Sequence, residues 1–225
     1  MRATSKLLAL ALAAALQPAV ADVVTLNFED ITLAADPAKT GIVELLNRYS
    51  GSGVEFTGAA WGLVAGGSCG GIGNFIPHNS GTCAGLYLAG DPRDAIVGGE
   101  QSFTLNFAAG FIAGSSLYYS ALASSEATVT LYDGLNGSGN AIFPDDLNYR
   151  NCDKARFCNW QLLSLDFTGI ARSLVVSGID EQVMIDDVTL VKADTAPGRL
   201  PEPGGIALAV AAFGAMGWAR KRVAR

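Results

Sequence analysis

Histidine occurs once in this 225-residue chain, at His78, and charge is sparse, with charged residues making up 16% of the sequence. A lone imidazole excludes the multi-histidine metal triads of catalytic zinc sites. The chain has no G-x-S-x-G nucleophile elbow, so the α/β-hydrolase signature is absent. A serine and an aspartate, Ser80 and Asp91, lie near His78 in sequence, but any such trio arises by chance at this length. Asp145 and Asp146 offer a carboxylate pair for glycoside hydrolysis, yet nothing selects them. Basic residues are also scarce: residues 22–199 carry 9 Lys and Arg against 20 Asp and Glu, a net charge of −11. Such a surface repels phosphate backbones and argues against nucleic-acid partners.

What is present falls into three zones. The first 21 residues hold basic Arg2 and Lys6, an apolar run over 7–16 and an A-x-A site at Ala19-Val20-Ala21. This is a secretory signal, with cleavage between Ala21 and Asp22. The middle zone, 22–192, has the length for one domain with a substantial core, and 193–199 reads as a linker. The last zone, 200–225, begins with Pro201-Glu202-Pro203, continues through 16 uncharged residues over 204–219 and ends on Arg220-Lys221-Arg222 and Arg225. Two prolines hold the tripeptide extended. As a helix, 204–219 is roughly 24 Å long, short of a ~30 Å hydrocarbon core. The basic tail 220–225 favours the cytoplasmic side.

The tripeptide, apolar run and basic tail together resemble the PEP-CTERM sorting signal of Gram-negative bacteria. The resemblance covers about the last 26 residues. It implies that a membrane-embedded peptidase, an exosortase, recognises Pro201, Glu202 and Pro203 and processes the tail. The protein would pass through an inner-membrane-anchored intermediate, with 204–219 as a transmembrane helix, and then reach the cell surface or extracellular matrix. A plain C-terminal anchor is the simpler alternative, but an anchor has no need of Pro-Glu-Pro.

The middle zone reads as all-β. Alternation marks strands at 23–28, 54–57, 86–88, 102–107, 116–122, 127–132, 141–143, 163–167, 173–179 and 183–191. Residues 36–49 have helical spacing at Ile42, Leu45, Leu46 and Tyr49. Residues 58–90 are glycine-rich and read as a long irregular loop containing Trp61, Cys69, His78 and Cys83. Many short strands with Gly-rich turns indicate an antiparallel β-sandwich. Four cysteines in an exported chain read as two disulfides, and local closure favours Cys69–Cys83 and Cys152–Cys158. Their spacing is unlike the CxxC pairs of zinc sites.

The first strand ends in Asn27-Phe28-Glu29-Asp30, and the last opens with Met184-Ile185-Asp186-Asp187-Val188. These motifs resemble jelly-roll modules of the galactose- and carbohydrate-binding type, whose first and last strands lie side by side. The resemblance implies a structural calcium ion at Glu29, Asp186 and Asp187, because hard carboxylate oxygens suit Ca²⁺. The plainer alternative is that these carboxylates cap strand ends. Trp61, Tyr118, Tyr119, Tyr132, Tyr149 and Trp160 are candidate stacking faces for sugars, with Trp61 the best single ligand-binding candidate. The expectation is a non-enzymatic exported protein that binds polysaccharide. The alternative is a secreted glycosidase or esterase.

Overall fold

The computed structural model describes residues 22–79, 82–93, 99–122, 126–148 and 156–193. The expected signal segment and sorting tail, and the expected linker after Ala193, lie outside these residues, as do Ser80, Tyr149 and Cys152. Among the described residues, eleven strands run in chain order: β1 (Val23–Leu26), β2 (Ile42–Glu44), β3 (Val54–Gly58), β4 (Ala60–Val64), β5 (Ala84–Leu88), β6 (Glu100–Ala121), β7 (Thr128–Tyr132), β8 (Ala141–Asp146), β9 (Gln161–Leu165), β10 (Ala171–Ile179) and β11 (Val183–Lys192). All pairings between them are antiparallel. They build a β-sandwich within the compact unit Asp22–Ala193.

The long strand β6 joins the two halves. Alternation predicts two strands here, over 102–107 and 116–122, but one 22-residue strand runs through both. Its first part pairs with β3 and β10, and its last part pairs with β11 and β9. Between them lie Gly110 and Gly114, both with positive φ (78° and 90°). Glycine adopts this conformation without steric cost, so the strand changes direction without ending. Phe103, Leu105 and Phe107 point inward and are at most 2% exposed. Burial of one such side chain stabilises by roughly 1.5–3 kcal/mol.

Residues 58–90 correct the expectation of a continuous irregular loop. Strand β4 occupies 60–64 and pairs with both β2 and β5. Its sequence AWGLV does not alternate because both faces are covered, and all five residues are buried. Ala60 and Val64 enter the main core, while Trp61 and Leu63 enter a second apolar cluster on the opposite face. Strand β5 behaves alike: Leu86 and Leu88 face the main core, and Tyr87 faces the second cluster.

Residues 36–49 are not helical, although Ile42 and Leu45 are buried as their spacing predicts. The Asp36 carboxylate accepts hydrogen bonds from the backbone N–H of Ala38 (2.9 Å), Thr40 (2.7 Å) and Gly41 (3.0 Å), and from the Thr40 hydroxyl. These bonds hold the Asp36 carboxyl well below its ordinary range, the Thr40 hydroxyl bond being the largest cause. They wind 36–41 into a turn, and β2 then joins β4.

The Cys69–Cys83 disulfide forms as expected. Closing a 15-residue loop stabilises the domain by about 3 kcal/mol on the chain-entropy account. Cys158 is also disulfide-bonded, while Cys152 lies outside the described residues.

Gly110→Ala tests the β6 bend. A Cβ at this position would lie 2.5 Å from Ile170 Cγ2 on a backbone at φ +78°. Strain of this kind costs of order 1–3 kcal/mol. Urea unfolding of the unit Asp22–Ala193 is expected to show that loss. An unchanged midpoint would mean that the bend does not require glycine.

Candidate functional site

The outer face of β4, β5 and β11 carries Trp61, Leu63, Tyr87 and Met184, all buried. Two segments outside the named strands, around 72–79 and 156–160, cover this face. Phe75 and Phe157 join them through a parallel bridge, and both rings sink into the second cluster at 5% and 2% exposure. Ile76 N–H donates to Phe157 O at 2.9 Å, which fixes their relative register.

Just past the bridge, three rings meet. His78 lies over Tyr118 of β6 with ring centroids 3.7 Å apart, and Trp160 stands 6.0 Å from His78 at 63°. The Trp160 indole N–H donates to Ile76 O at 2.8 Å, so the side chain is held at its polar end. An open depression of ≈690 Å³ lies here, lined by Ile76, Pro77, His78, Asn159, Trp160 and Gln161. Its size is that of a ligand site, and it combines aromatic faces with side-chain amides. Amides both donate and accept, which suits hydroxyl-rich ligands.

The acidic motifs support this site from below. Strand β11 carries a bulge between Asp186 and Thr189 in its pairing with β6, and Asp187 sits there at φ 47°. The bulge turns the Asp187 side chain toward the covering segment. There, Asp187 Oδ2 lies 3.0 Å from His78 Nδ1 and accepts from Asn79 Nδ2 at 2.7 Å. A carboxylate only accepts, so Nδ1 is the protonated ring nitrogen. Asp186, opposite Tyr118 in register, is 2% exposed, and its Oδ1 accepts from Asp187 N–H at 2.8 Å. Burial, with the charges of Asp187 and Glu29 nearby, pushes its carboxyl up to about 8. The Glu29 carboxylate accepts from the backbone N–H of Cys83 (2.8 Å) and Ala84 (3.0 Å).

Asp187 and Glu29 therefore both act electrostatically on Asp186. Both Glu29 oxygens, Asp186 Oδ1 and Asp187 Oδ2 accept from N–H donors. Among the described residues, no group of three or more His, Cys, Asp or Glu is arranged to hold a metal ion.

Trp61 corrects the sequence reading. It is in strand β4, not a loop, and is 5% exposed. Its indole N–H donates to Gly90 O at 3.0 Å, and Arg93 covers its ring at 4.6 Å. It offers no open stacking face. Tyr119 is buried as well, its hydroxyl accepting from Asn148 N–H. The trio of His78, Ser80 and Asp91 does not assemble as written, because His78 pairs with Asp187 and Asp91 pairs with Arg93. Asp145 and Asp146 are successive residues of β8 and point to opposite faces. Asp22 lies beside β1, where its backbone O accepts from Lys192 N–H. Asn79, Asn159 and Gln161 were not singled out by sequence. They carry no local pattern; the bridge between 75 and 157, the β9–β6 pairing and the Asn79–Asp187 hydrogen bond position them.

No protein-family model matches the chain, and no curated protein does. Among solved structures, the chain is similar to the K2 cleaved adhesin domain of Lys-gingipain, with 14% identity and a TM-score of 0.46 over 75% of this chain and 99% of that one. The K1 adhesin domain from Porphyromonas gingivalis W83 gives 10% identity and a TM-score of 0.38 over 76% and 99%. The CBM22-1 and GH10 modules of Clostridium thermocellum endo-1,4-β-D-xylanase 10B give 13% and 0.30 over 63% and 26%. Likeness at this level carries no argument about ligands.

The buried Asp186 makes stability depend on pH. Its folded value, about 8, lies above the ordinary 3.8, so the folded state holds a proton that the unfolded chain releases. Its contribution is complete below about pH 4 and is lost as pH rises to about 8. Each kcal/mol lost lowers the melting midpoint by roughly 2–4 °C at this size. Melting curves of the domain at pH 5, 6, 7 and 8 are expected to fall, and Asp186→Asn to flatten that fall. Parallel slopes for the two proteins would remove Asp186 as the cause.

Proposed function

We propose that this chain is an exported, non-enzymatic surface or matrix protein that binds polysaccharide at the His78–Trp160 depression. The observation that carries the reading is the grouping of Trp160 and His78 with Asn159 and Gln161 around one open ≈690 Å³ depression, with the His78 ring stacked on Tyr118. Aromatic faces take the C–H side of a sugar ring, and amides take its hydroxyls. The acidity of residues 22–199 favours neutral polymers over anionic ones. Trp160→Ala is expected to weaken polysaccharide binding roughly tenfold or more while leaving the melting midpoint within a few degrees. Affinity electrophoresis on a panel of neutral polysaccharides checks this. Equal retardation of the two proteins on every gel sinks the site.

A second reading is a secreted hydrolase. It draws on the His78–Asp187 pair, which has the form of a general base held by a carboxylate. A panel of chromogenic esters and glycosides separates the two: turnover abolished by His78→Ala would favour the hydrolase.

Delivery follows from the tail. An exosortase-type peptidase would recognise Pro201-Glu202-Pro203 and release the protein from the inner membrane. Replacing the tripeptide with three alanines is expected to leave full-length protein in the inner-membrane fraction. Processed protein at the surface despite that change would refute the sorting reading. Calcium is a separable part of the proposal, through Glu29, Asp186 and Asp187. Equal melting midpoints in calcium and in chelator would remove the ion and leave the sugar site standing.

A further inference from the structure

The Phe75–Phe157 bridge is parallel, so residues preceding it in both segments lie at one end and residues following it lie at the other. The sugar depression takes the following residues. The preceding ones line a second, tighter pocket of ≈160 Å³. Gly73 and Pro77, one on each pocket, are four positions apart, at most roughly 13 Å of extended chain. One polymer can therefore reach both.

The second pocket is too small for a sugar ring with its neighbours, since whole-ligand sites begin at about 300 Å³. Its walls include Ile42, Leu63, Ile72 and Phe157. Its charged groups are Arg156 and Glu181, paired at 3.4 Å. The Tyr87 hydroxyl donates to Glu181 O at 3.2 Å. Burial pushes that phenol up, so it stays neutral. The Arg156 guanidinium has five N–H donors, lies 5.8 Å from the Phe157 ring and spends one donor on Glu181. The pocket thus combines apolar walls with a cation that its own carboxylate already balances. An anionic substituent would meet Glu181, and a bare hydroxyl would leave the apolar walls without a partner. A short apolar group bearing a strong neutral acceptor fits both features.

We propose that this pocket reads an acyl substituent, the acetyl group of an acetamido or O-acetylated sugar, on the polysaccharide held at the His78–Trp160 depression. The methyl lies against Ile72 and Leu63, and the carbonyl accepts from Arg156. This inference rests on the sugar-binding reading above.

Two matched pairs of probes test it by calorimetry on the exported domain. One pair is β-1,4-linked N-acetylglucosamine oligomers and glucose oligomers of equal length. The other is acetylated xylan and the same xylan after alkaline deacetylation. The acetylated member of at least one pair is expected to bind about tenfold tighter, and the pair that discriminates identifies the amide or the ester. Arg156→Gln and Ile72→Ala are each expected to reduce that preference at least threefold. Ile72 is 59% exposed, so its truncation leaves the fold intact even if loss of the Arg156–Glu181 pair does not. Trp160→Ala is expected to weaken both members of a pair alike. Equal binding of acetylated and unacetylated probes by the unaltered protein, lost in Trp160→Ala, overturns the acyl pocket and leaves the sugar site intact. A preference undiminished in both Arg156→Gln and Ile72→Ala also overturns it. Absence of binding to all four probes overturns both readings.

Discussion

A sheet buried on both faces needs a cover on each, and this requirement shapes the molecule. Strands β4, β5 and the first half of β11 turn one set of side chains into the main core and the other set, Trp61, Leu63, Tyr87 and Met184, outward. Left bare, that outer set would form a large apolar patch. The chain covers it with Phe75 and Phe157, carried by segments outside the named strands and joined by one bridge. The Cys69–Cys83 bond ties the start of that cover to the entrance of β5. The candidate site lies where the cover ends, over Tyr118.

The sequence made half of this legible. Wherever one face meets the core and the other meets solvent, alternation located the strand, as for Phe103, Leu105 and Phe107 of β6 and for Val129 and Leu131 of β7. Where both faces are buried, the period-2 signal vanishes, and AWGLV in β4 passed for loop. The same loss explains the misplacement of Trp61. A tryptophan among glycines reads as an exposed loop residue, yet here the glycines serve close packing: a Cβ on Gly62 would lie 2.3 Å from Ile31 Cδ1. The spacing of Ile42, Leu45, Leu46 and Tyr49 suggested a helix because sequence spacing does not register that the Asp36 carboxylate holds 36–41 in a turn from which β2 leaves to pair with β4.

The candidate site was legible in its parts and not in its assembly. Trp160 and Tyr118 were among the aromatic candidates, and Asp187 was singled out for its charge. Nothing in the sequence pairs them with His78, because the pairing depends on the bulge at Asp187 and on contacts spanning 109 positions. A one-residue bulge moves a carboxylate from one side of a strand to the other, and no compositional signal marks it. The first and last strands, expected to lie side by side, pair as β1 with β11.

Asp186 shows why such a cluster is tolerated. Three carboxylates near one another repel, and one of them is buried. Two features relieve the conflict. Glu29 and Asp187 spend their charge on N–H donors, and Asp186 retains a proton across most of the neutral range. The proton sits one residue from the carboxylate that holds His78 over Tyr118. When Asp186 ionises, a second negative charge appears beside Asp187, beneath the ring stack. The bulge that turns Asp187 toward His78 also leaves Asp186 buried.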